Sequence, residues 1–255
     1  PVINIFEKAV RKAGRFFLRD FGEIENLQIQ SKNIGDFVTN ADIKTEKILI
    51  ETLQYYYPNA TYITEESENI KGDQEEKIII DPIDGTTNFI HGIPLVGIVI
   101  ARIFKEEITD GVIFNPVLNE FYWASKGKGA WCNNKRLRVS KRSDFINCII
   151  GTGIPHANKT YPEYLTEIDN ISKNCSGLRR MGAASIDFWI EYDAFESREA
   201  YYKMAREDPG RALRFTFQPY YMKKCVIYDA HTEGGNKGNQ LQKTWLKFWV
   251  NNLLN

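Results

Sequence analysis

The sequence predicts an α/β protein in which helix and sheet layers alternate. Two observations support this prediction. Apolar residues recur at helical spacing over residues 3–20, which is typical of a surface helix with one buried face. Further along, β-branched apolar runs at residues 77–80, 96–104 and 111–114 are typical of strands. With 255 residues and 43% hydrophobic content, the chain is long enough to bury a substantial core.

Two helical patterns precede the strands. The first has Lys and Arg between the apolar residues of its inner face, which are Phe6, Val10, Ala13 and Phe17. The second is predicted to begin at a cap, Thr39 or Asn40, and to end before Pro58, because proline cannot continue a helix. Asp42 then lies in the first turn of this second helix.

Two strand patterns end in acidic residues. Segment 62–64 is followed by Glu65 and Glu66, and the apolar run 77–80 is followed by Asp81. Downstream, a charged turn at 105–107 predicts a hairpin, and residues 121–129 extend the antiparallel pattern. A further strand at 146–150 and a helix after residue 162 complete the pattern. The acids matter because open sheets bind ligands at strand ends.

Composition excludes several classes of function. Lys+Arg and Asp+Glu each number 33, so no broad basic field attracts nucleic acid or anionic lipid. The four cysteines form no CxxC pair, which argues against a zinc site and predicts free thiols and a cytoplasmic location. No apolar run is long enough for a membrane span, so we expect neither a signal peptide nor a membrane partner.

The most informative segment joins the strand at 77–80 to a turn rich in glycine and hydroxyl groups. Pro82 biases Asp81 toward an extended conformation, so that Asp81 and Asp84 can be held around one point. Converging carboxylates need a compensating cation. Hard oxygen ligands without nearby Cys or His favour Mg²⁺, which takes its remaining ligands from water and a substrate phosphate.

The turn that follows predicts a phosphate site. Gly85 permits close approach of the backbone, and Thr86 and Thr87 are predicted to cap a helix whose exposed N–H groups face the phosphate. A plainer interpretation is an ordinary turn, because Asp, Pro and Gly are common turn formers. The second acid-ended strand, with Glu65, favours the metal interpretation. Asp42 on its own would be a first-turn acid that interacts with the helix dipole.

Residues 81–89, Asp-Pro-Ile-Asp-Gly-Thr-Thr-Asn-Phe, resemble the signature of the inositol monophosphatase family. The motif at 65–67 resembles the upstream acidic motif of that family, and residues 38–42 resemble its first acidic motif. Similar segments at 126–130 and 179–184 extend the resemblance over about residues 3–190. The resemblance implies a layered α-β-α-β-α sandwich.

The resemblance also implies a role for each motif. The implied metal ligands are Glu65, Asp81, Asp84 and the Ile83 carbonyl, with Mg²⁺ as cofactor. The implied catalytic residues are Asp42, Glu65 and Thr86, of which Asp42 and Thr86 orient the attacking water. The implied phosphate-binding residues are Gly85, Thr86 and Thr87. The implied border of the substrate alcohol consists of Gly182, Ala183 and Ala184.

These roles divide the chain into a metal- and phosphate-binding half, residues 1–140, and a substrate half, residues 141–255, within one compact unit. The implied activity is Mg²⁺-dependent hydrolysis of a small phosphorylated polyol, with inositol 1-phosphate as the first candidate, by in-line attack of water. A homodimer is expected. The alternative is a catalytically impaired member that binds metal and phosphate, or that acts as a regulator associated with RNA polymerase, as some bacterial relatives do.

The resemblance is lost after about residue 188. Family members carry a late metal-ligand aspartate in a Trp-Asp pair, and here Gly210 falls at that position, with Asp208 two positions away. Lys203 stands where the family usually has a glutamate that contacts substrate hydroxyls. Either the region has diverged, with Asp208 or Glu207 as a replacement ligand, or the last quarter is read in another frame.

We predict slower turnover than in an intact family member. The missing ligand belongs to the metal that stabilises the leaving group, so the deficit should appear in kcat rather than in KM. Steady-state kinetics of two variants separates the alternatives. Loss of the remaining activity in Asp208→Asn identifies a replacement ligand, whereas a silent Asp208→Asn with a rate gain in Gly210→Asp identifies an incomplete site. Wild-type turnover equal to that of an intact family phosphatase, and unaffected by Asp208→Asn, contradicts both.

Overall fold

The structure, a computed structural model, describes residues 1–23, 29–33, 36–137, 145–151 and 162–187. The helices in these residues are α1 Val2–Asp20, α2 Asn40–Gln54, α3 Thr86–Ile90, α4 Pro162–Ser172 and α5 Ala184–Asp187. The first strands are β1 Ile29–Asn33, β2 Asp36–Thr39, β3 Ala60–Ile63, β4 Asp73–Asp84 and β5 Gly97–Phe104. The later strands are β6 Glu107–Asn115, β7 Glu120–Ser125, β8 Gly129–Cys132, β9 Lys135–Arg136, β10 Ile149–Gly151 and β11 Gly177–Arg179.

The main sheet contains strands β3 to β9 side by side in chain order. Strands β3 and β4 pair in parallel, and each later neighbour pairs antiparallel. Two smaller sheets accompany it: the antiparallel pair β1 and β2, and the parallel pair β10 and β11, which flanks α4 in the chain. The α/β fold class is therefore confirmed.

Both faces of the main sheet are buried. On one face α1 and α2 pack against alternate residues of the central strands, such as Ile78 and Ile80, in a core that includes Phe6, Phe17 and Leu49. The intervening residue Ile79 points to the opposite face, as the two-residue period of a strand requires. On that face α5 lies so close to β5 that a side chain at Gly97 would meet the Ser185 hydroxyl at 2.8 Å. The sheet is thus a middle layer between helices.

The predicted helices, one at residues 3–20 and one from a cap at Thr39 or Asn40 to before Pro58, are confirmed as α1 and α2. The hairpin turn proves tighter than its sequence suggested. Lys105 and Glu106 adopt positive φ values of 51° and 64°, and Phe104 pairs directly with Glu107. A two-residue loop of this hand matches the twist of the strands. The second strand of the hairpin therefore begins at Glu107 rather than at residue 111.

Two other strand predictions had the wrong bounds. Strand β4 is longer than the apolar run at 77–80, because polar residues at its start also pair with β5, where Arg102 donates two hydrogen bonds to Glu76 at 2.8 and 2.6 Å. For the strand predicted at 146–150, residues 145–147 form a 3₁₀ turn and only 149–151 form the strand.

Among the residues that the structure describes, no helix is long and apolar enough to cross a membrane.

Phe17 joins α1 to α3, since its ring meets the ring of Phe89 edge to face at a centroid distance of 4.7 Å. Phe17 is completely buried, whereas its neighbour Phe16 is 37% exposed. We predict that Phe17→Ala lowers the free energy of unfolding by about 3–5 kcal/mol, because it removes buried area and leaves a cavity. Urea denaturation measures this loss. The matched variant Phe16→Ala should lose about 1 kcal/mol or less, and equal losses in the two variants would contradict the packing described.

Candidate functional site

A bulge at the end of β4 presents two acids. Asp81 pairs with Val99 of β5 and Asp84 pairs with Gly97, so two residues of β4 lie opposite Ile98. Proline has no N–H to donate to the sheet, and a proline inside a strand is tolerated at such a bulge. Bulges turn side chains to new directions beside functional sites. Pro82 therefore explains locally why Asp81 and Asp84 leave the regular alternation of the strand.

Asp42 lies at the start of α2 and contacts both the helix cap and the turn after β4. It forms a capping box with Thr39, whose N–H and hydroxyl donate to Asp42 Oδ2 at 2.8 and 2.6 Å. The Thr86 hydroxyl lies 3.3 Å from Asp42 Oδ1 and 3.1 Å from the Ile83 carbonyl, and it can donate to either acceptor. Asp42 thus caps its own helix, as expected for a first-turn acid, and the same side chain also lies beside Thr86.

The turn after β4 begins with Gly85, which has a φ of 90° and is the N-terminal cap residue of α3. A β-carbon at this position would stand 2.8 Å from the side chain of Ala183, so both the backbone conformation and the close contact require glycine. The prediction that Thr86 and Thr87 cap the helix is wrong. No side chain caps α3, because the cap position is occupied by Gly85 and the helix itself begins at Thr86.

Glu65 follows β3, and its side chain is exposed to solvent. The backbone N–H groups of Glu65 and Glu66 donate to Glu46 Oε2 on α2, at 3.0 and 2.9 Å. A side-chain hydrogen bond connects Glu65 with Asp81 at the end of the adjacent strand. The two acid-ended strands predicted from the sequence therefore meet, and α2 supports the junction.

The segment predicted to border the substrate alcohol also meets this site. The N–H groups of Ala184 and Ser185 donate to the two carboxylate oxygens of Asp84 at 3.3 and 2.6 Å. The Asn88 amide donates to the carbonyls of Leu95 and Met181, both at 2.7 Å. These bonds join the turn after β4 to residues about a hundred positions later in the chain. Gly182, Ala183 and Ala184 thus lie against the turn that carries Asp84 and Gly85.

The carboxyl groups of the site have raised pKa values. Burial raises the pKa of Asp42 to about 6. Burial, followed by the charges of Glu65 and Asp84, raises the pKa of Asp81 well above its ordinary value. Burial also raises the pKa of Asp84, although the hydrogen bonds from Ser185 and Ala184 oppose this rise. Each shift has the same physical reason, since a buried anion without a counter-charge is costly.

Asp81 differs from its neighbours in hydrogen bonding. Its Oδ1 atom is buried without a hydrogen-bond partner, which is unusual for a carboxylate oxygen. In the described residues, the Ser185 hydroxyl is the other buried side-chain oxygen without a hydrogen-bond partner. The hydroxyl lies close enough to Asp84 to lower the pKa of its carboxyl group, but without normal hydrogen-bond geometry. Two unsatisfied oxygen atoms therefore lie among the acids at this end of the sheet.

Within the described ranges, no three Asp, Glu, His or Cys side chains form a group already arranged to hold a metal ion. The acids are instead connected in pairs, with Asp81 bonded to Glu65 and also close enough to Asp84 and Asp42 for their charges to raise its pKa. A hydrogen bond between two carboxyl groups requires a shared proton. The contact with Glu65 thus favours the protonated form of Asp81, in the same direction as its raised pKa.

Sequence reasoning missed three residues that shape the site: Glu46, Asn88 and Ser185. Glu46 had a detectable signal, because it lies one turn after Asp42 on the same face of α2 as Leu49 and Leu53, where an apolar residue is expected. The contacts of Ser185 are long-range and left no local pattern. The tentative replacement ligand Asp208, together with Lys203 and Gly210, lies outside the described residues.

A sequence model of the inositol monophosphatase family matches residues 1–206. A relative from Rhizobium meliloti (strain 1021), named inositol-1-monophosphatase, is 44% identical over 204 residues, which cover 78% of this chain and 77% of the relative. The Nus factor SuhB of Escherichia coli (strain K12) is 37% identical over 189 residues, covering 73% of this chain and 71% of that protein.

Solved structures agree with these matches. The crystal structure of the extragenic suppressor protein SuhB from Bartonella henselae has a TM-score of 0.73 at 42% identity, covering 76% of this chain and 77% of that one. The IMPase of Thermotoga maritima has a TM-score of 0.65 at 29% identity, covering 74% and 72%. Fold and relatives together support a protein of the phosphatase class. The chain belongs to the inositol monophosphatase family.

We predict that the protein without added metal is stabilised by mild acid. The folded state holds the proton of Asp42 more tightly than the unfolded state, whose pKa is about 3.8, so its contribution to stability rises as the pH falls from about 6 toward 3.8. Asp81 and Asp84 act in the same direction. Urea denaturation at several pH values in a chelating buffer measures the effect.

The variant Asp42→Asn isolates this contribution. Its free energy of unfolding should depend less steeply on pH between 4 and 6, by up to about 1.4 kcal/mol per pH unit, the value for one proton. Asp169→Asn is the matched control, because Asp169 is an exposed acid on α4 and should keep the wild-type slope. An Asp42→Asn variant with the same slope as wild type would contradict the assignment.

Proposed function

We propose that this protein is a Mg²⁺-dependent phosphatase that hydrolyses a small phosphate monoester, with inositol 1-phosphate as the leading candidate. One observation carries the proposal: the Oδ1 atom of Asp81 is buried without a hydrogen-bond partner, beside Glu65 and within reach of the charges of Asp84 and Asp42. A nearby cation would favour the ionised form of such a cluster. Membership of the family and relatives named inositol-1-monophosphatase support the substrate class.

The residues present fit a hard divalent cation. The Asp81 Oδ1 atom is buried and lacks a partner, and a cation would satisfy it. The donors around it are carboxylate oxygens, which Mg²⁺ prefers. The proposed ligands are Glu65, Asp81, Asp84 and the Ile83 carbonyl. The Ile83 carbonyl lies within hydrogen-bond distance of the Thr86 hydroxyl and, like any carbonyl oxygen, has two lone pairs. Ligation requires the proton between Asp81 and Glu65 to leave.

Bound Mg²⁺ would act as a Lewis acid that activates water and neutralises charge on the phosphate. The chain itself would orient the water through the paired Asp42 and Thr86, whose oxygens lie 3.3 Å apart. A raised pKa of about 6 for Asp42 lies close to neutral pH, which suits a group that accepts a proton in the reaction. The ion's charge would lower that pKa somewhat, since opposite charges favour ionisation.

The phosphate is proposed to lie at the turn formed by Gly85, Thr86 and Thr87. Residues at the start of α3 have N–H groups without partners inside the helix, and Thr87 is exposed at its surface. Helix α3 is only five residues long, so these N–H groups, rather than a long helix dipole, would contribute the attraction. The alcohol would be bordered by Gly182, Ala183 and Ala184, which join the proposed substrate half, residues 141–255, to the metal and phosphate half.

A second function, association with RNA polymerase, is favoured by the relatives named Nus factor SuhB. In that case the acids would bind metal or phosphate in a regulatory protein of reduced activity. We further propose a homodimer and a cytoplasmic location. In the described residues Cys132, Cys148 and Cys175 form no disulfide bond, which agrees with a reducing compartment.

We predict release of phosphate from inositol 1-phosphate that depends on added Mg²⁺. Asp84→Asn should weaken Mg²⁺ binding by about tenfold or more, because it removes a charged ligand. Titration calorimetry measures the affinity and a phosphate assay measures the rate. Asp169→Asn serves as the matched control, since it removes an exposed acid far along the chain from the site.

The proposed function would be wrong if phosphate release were the same with Mg²⁺ and with chelator. The ligand assignment would be wrong if wild type and Asp84→Asn bound Mg²⁺ equally. Capture of RNA polymerase by wild type and by Asp84→Asn alike, without phosphate release by either, would favour the regulatory function instead.

A further inference from the structure

Helix α2 carries two buried acids one turn apart. Asp42 is 1% exposed and Glu46 is 2% exposed. Residues four apart lie on the same face of a helix, and the rest of this face, with Leu49 and Leu53, belongs to the hydrophobic core. A carboxylate buried beside a core needs hydrogen bonds to its charged form. The hydrogen-bond partners of Glu46 therefore indicate the structural role of this buried carboxylate.

Those partners are the two N–H groups that immediately follow β3. Glu46 Oε2 accepts from the N–H of Glu65 at 3.0 Å and from that of Glu66 at 2.9 Å. Hydrogen bonds to an ionised acceptor are stronger than those between neutral groups. Some bonds connect this loop to itself, such as that from the Thr64 hydroxyl to the Ser67 carbonyl at 3.0 Å. Glu46 instead ties the loop to α2.

We propose that Glu46 is a positioning residue for the cation site, a role that rests on the function proposed above. By holding the backbone at Glu65 and Glu66, it keeps the exposed Glu65 carboxylate within reach of Asp81. Asp42 acts similarly through Thr86 on the other side. Helix α2 thus contacts the segments that follow two neighbouring strands, through Glu46 and through Asp42, which are about 6 Å apart along the helix axis.

Two variants separate the length of the Glu46 side chain from its charge. Gln at position 46 keeps an oxygen at the same distance from the helix, so it can still accept from both N–H groups without the charge. Asp keeps the charge but is one methylene shorter, so it cannot reach them. If Glu46 acts by position, Glu46→Asp is the damaging variant. If it acts only as a nearby negative charge that attracts the cation, Glu46→Gln is the damaging one.

Titration calorimetry with Mg²⁺ alone, without substrate, makes the comparison. We expect Glu46→Asp to weaken Mg²⁺ binding by about tenfold or more, which is the usual effect of losing an outer hydrogen-bond partner at a metal site. The affinity of Glu46→Gln should remain within about threefold of wild type. Amide hydrogen exchange at Glu65 and Glu66 should accelerate in Glu46→Asp and change little in Glu46→Gln.

The control is Thr52→Val, on the same helix about 9 Å from Glu46. Thr52 is 7% exposed and its hydroxyl donates to the Ile48 carbonyl at 2.7 Å. This variant perturbs the helix without touching the loop, so its Mg²⁺ affinity should equal that of wild type. A loss of Mg²⁺ affinity in Thr52→Val as large as that in Glu46→Asp would overturn the proposal, because any disturbance of α2 would then suffice.

Two more results would overturn it: equal affinity losses in Glu46→Asp and Glu46→Gln, or a larger loss in Glu46→Gln. The variant Glu65→Gln separates this failure from failure of the proposed function. If Glu65→Gln weakens Mg²⁺ binding and Glu46→Asp does not, only the positioning role is wrong. If wild type and Glu65→Gln bind Mg²⁺ equally, the metal site itself is wrong.

Discussion

Burial of carboxyl groups governs the arrangement at one end of the main sheet. Asp42, Asp81 and Asp84 have raised pKa values chiefly because burial removes water from them. The surrounding chain compensates for this loss of water with N–H and hydroxyl donors, namely those of Thr39 for Asp42 and of Ala184 and Ser185 for Asp84. Asp81 alone among them has an oxygen that no donor reaches, and there a cation is the natural complement.

The rest of the fold keeps these acids from moving apart. Helices α1 and α2 share a core with the strands that end in the acids, so the distance between α2 and the strand ends is fixed by close packing. A bulge around Pro82 then aims Asp81 and Asp84 away from the regular ladder. Rigid elements therefore hold the site, and in the loop after β3 the N–H groups of Glu65 and Glu66 donate to the buried Glu46 side chain of α2.

The sequence predicted correctly those elements whose structure depends on neighbouring residues in the chain. The capping residue Thr39 and the strand before Asp81 could be predicted because caps and apolar runs have short signatures. The prediction failed at the start of α3, where Gly85 is the cap residue and the Thr86 hydroxyl lies 3.3 Å from Asp42, a residue 44 positions away. It also missed Glu46 and Ser185, whose partners are distant in the chain. Long-range hydrogen bonds leave no pattern in a single sequence, apart from an acid on an otherwise apolar helical face.

The bonds from Ala184 and Ser185 to Asp84 have a thermodynamic consequence. They make one carboxylate a shared partner of two regions a hundred residues apart. A ligand that orders the segment at 182–185 would then also strengthen or weaken the hydrogen bonds to Asp84. A ligand at Asp84 would affect the segment in the same way. Such linkage is reciprocal: an alcohol docking on this segment and an ion docking on Asp84 would alter each other's affinity by the same factor. Binding of the proposed alcohol and of the proposed ion would thus be coupled, even though no atom of one need touch the other.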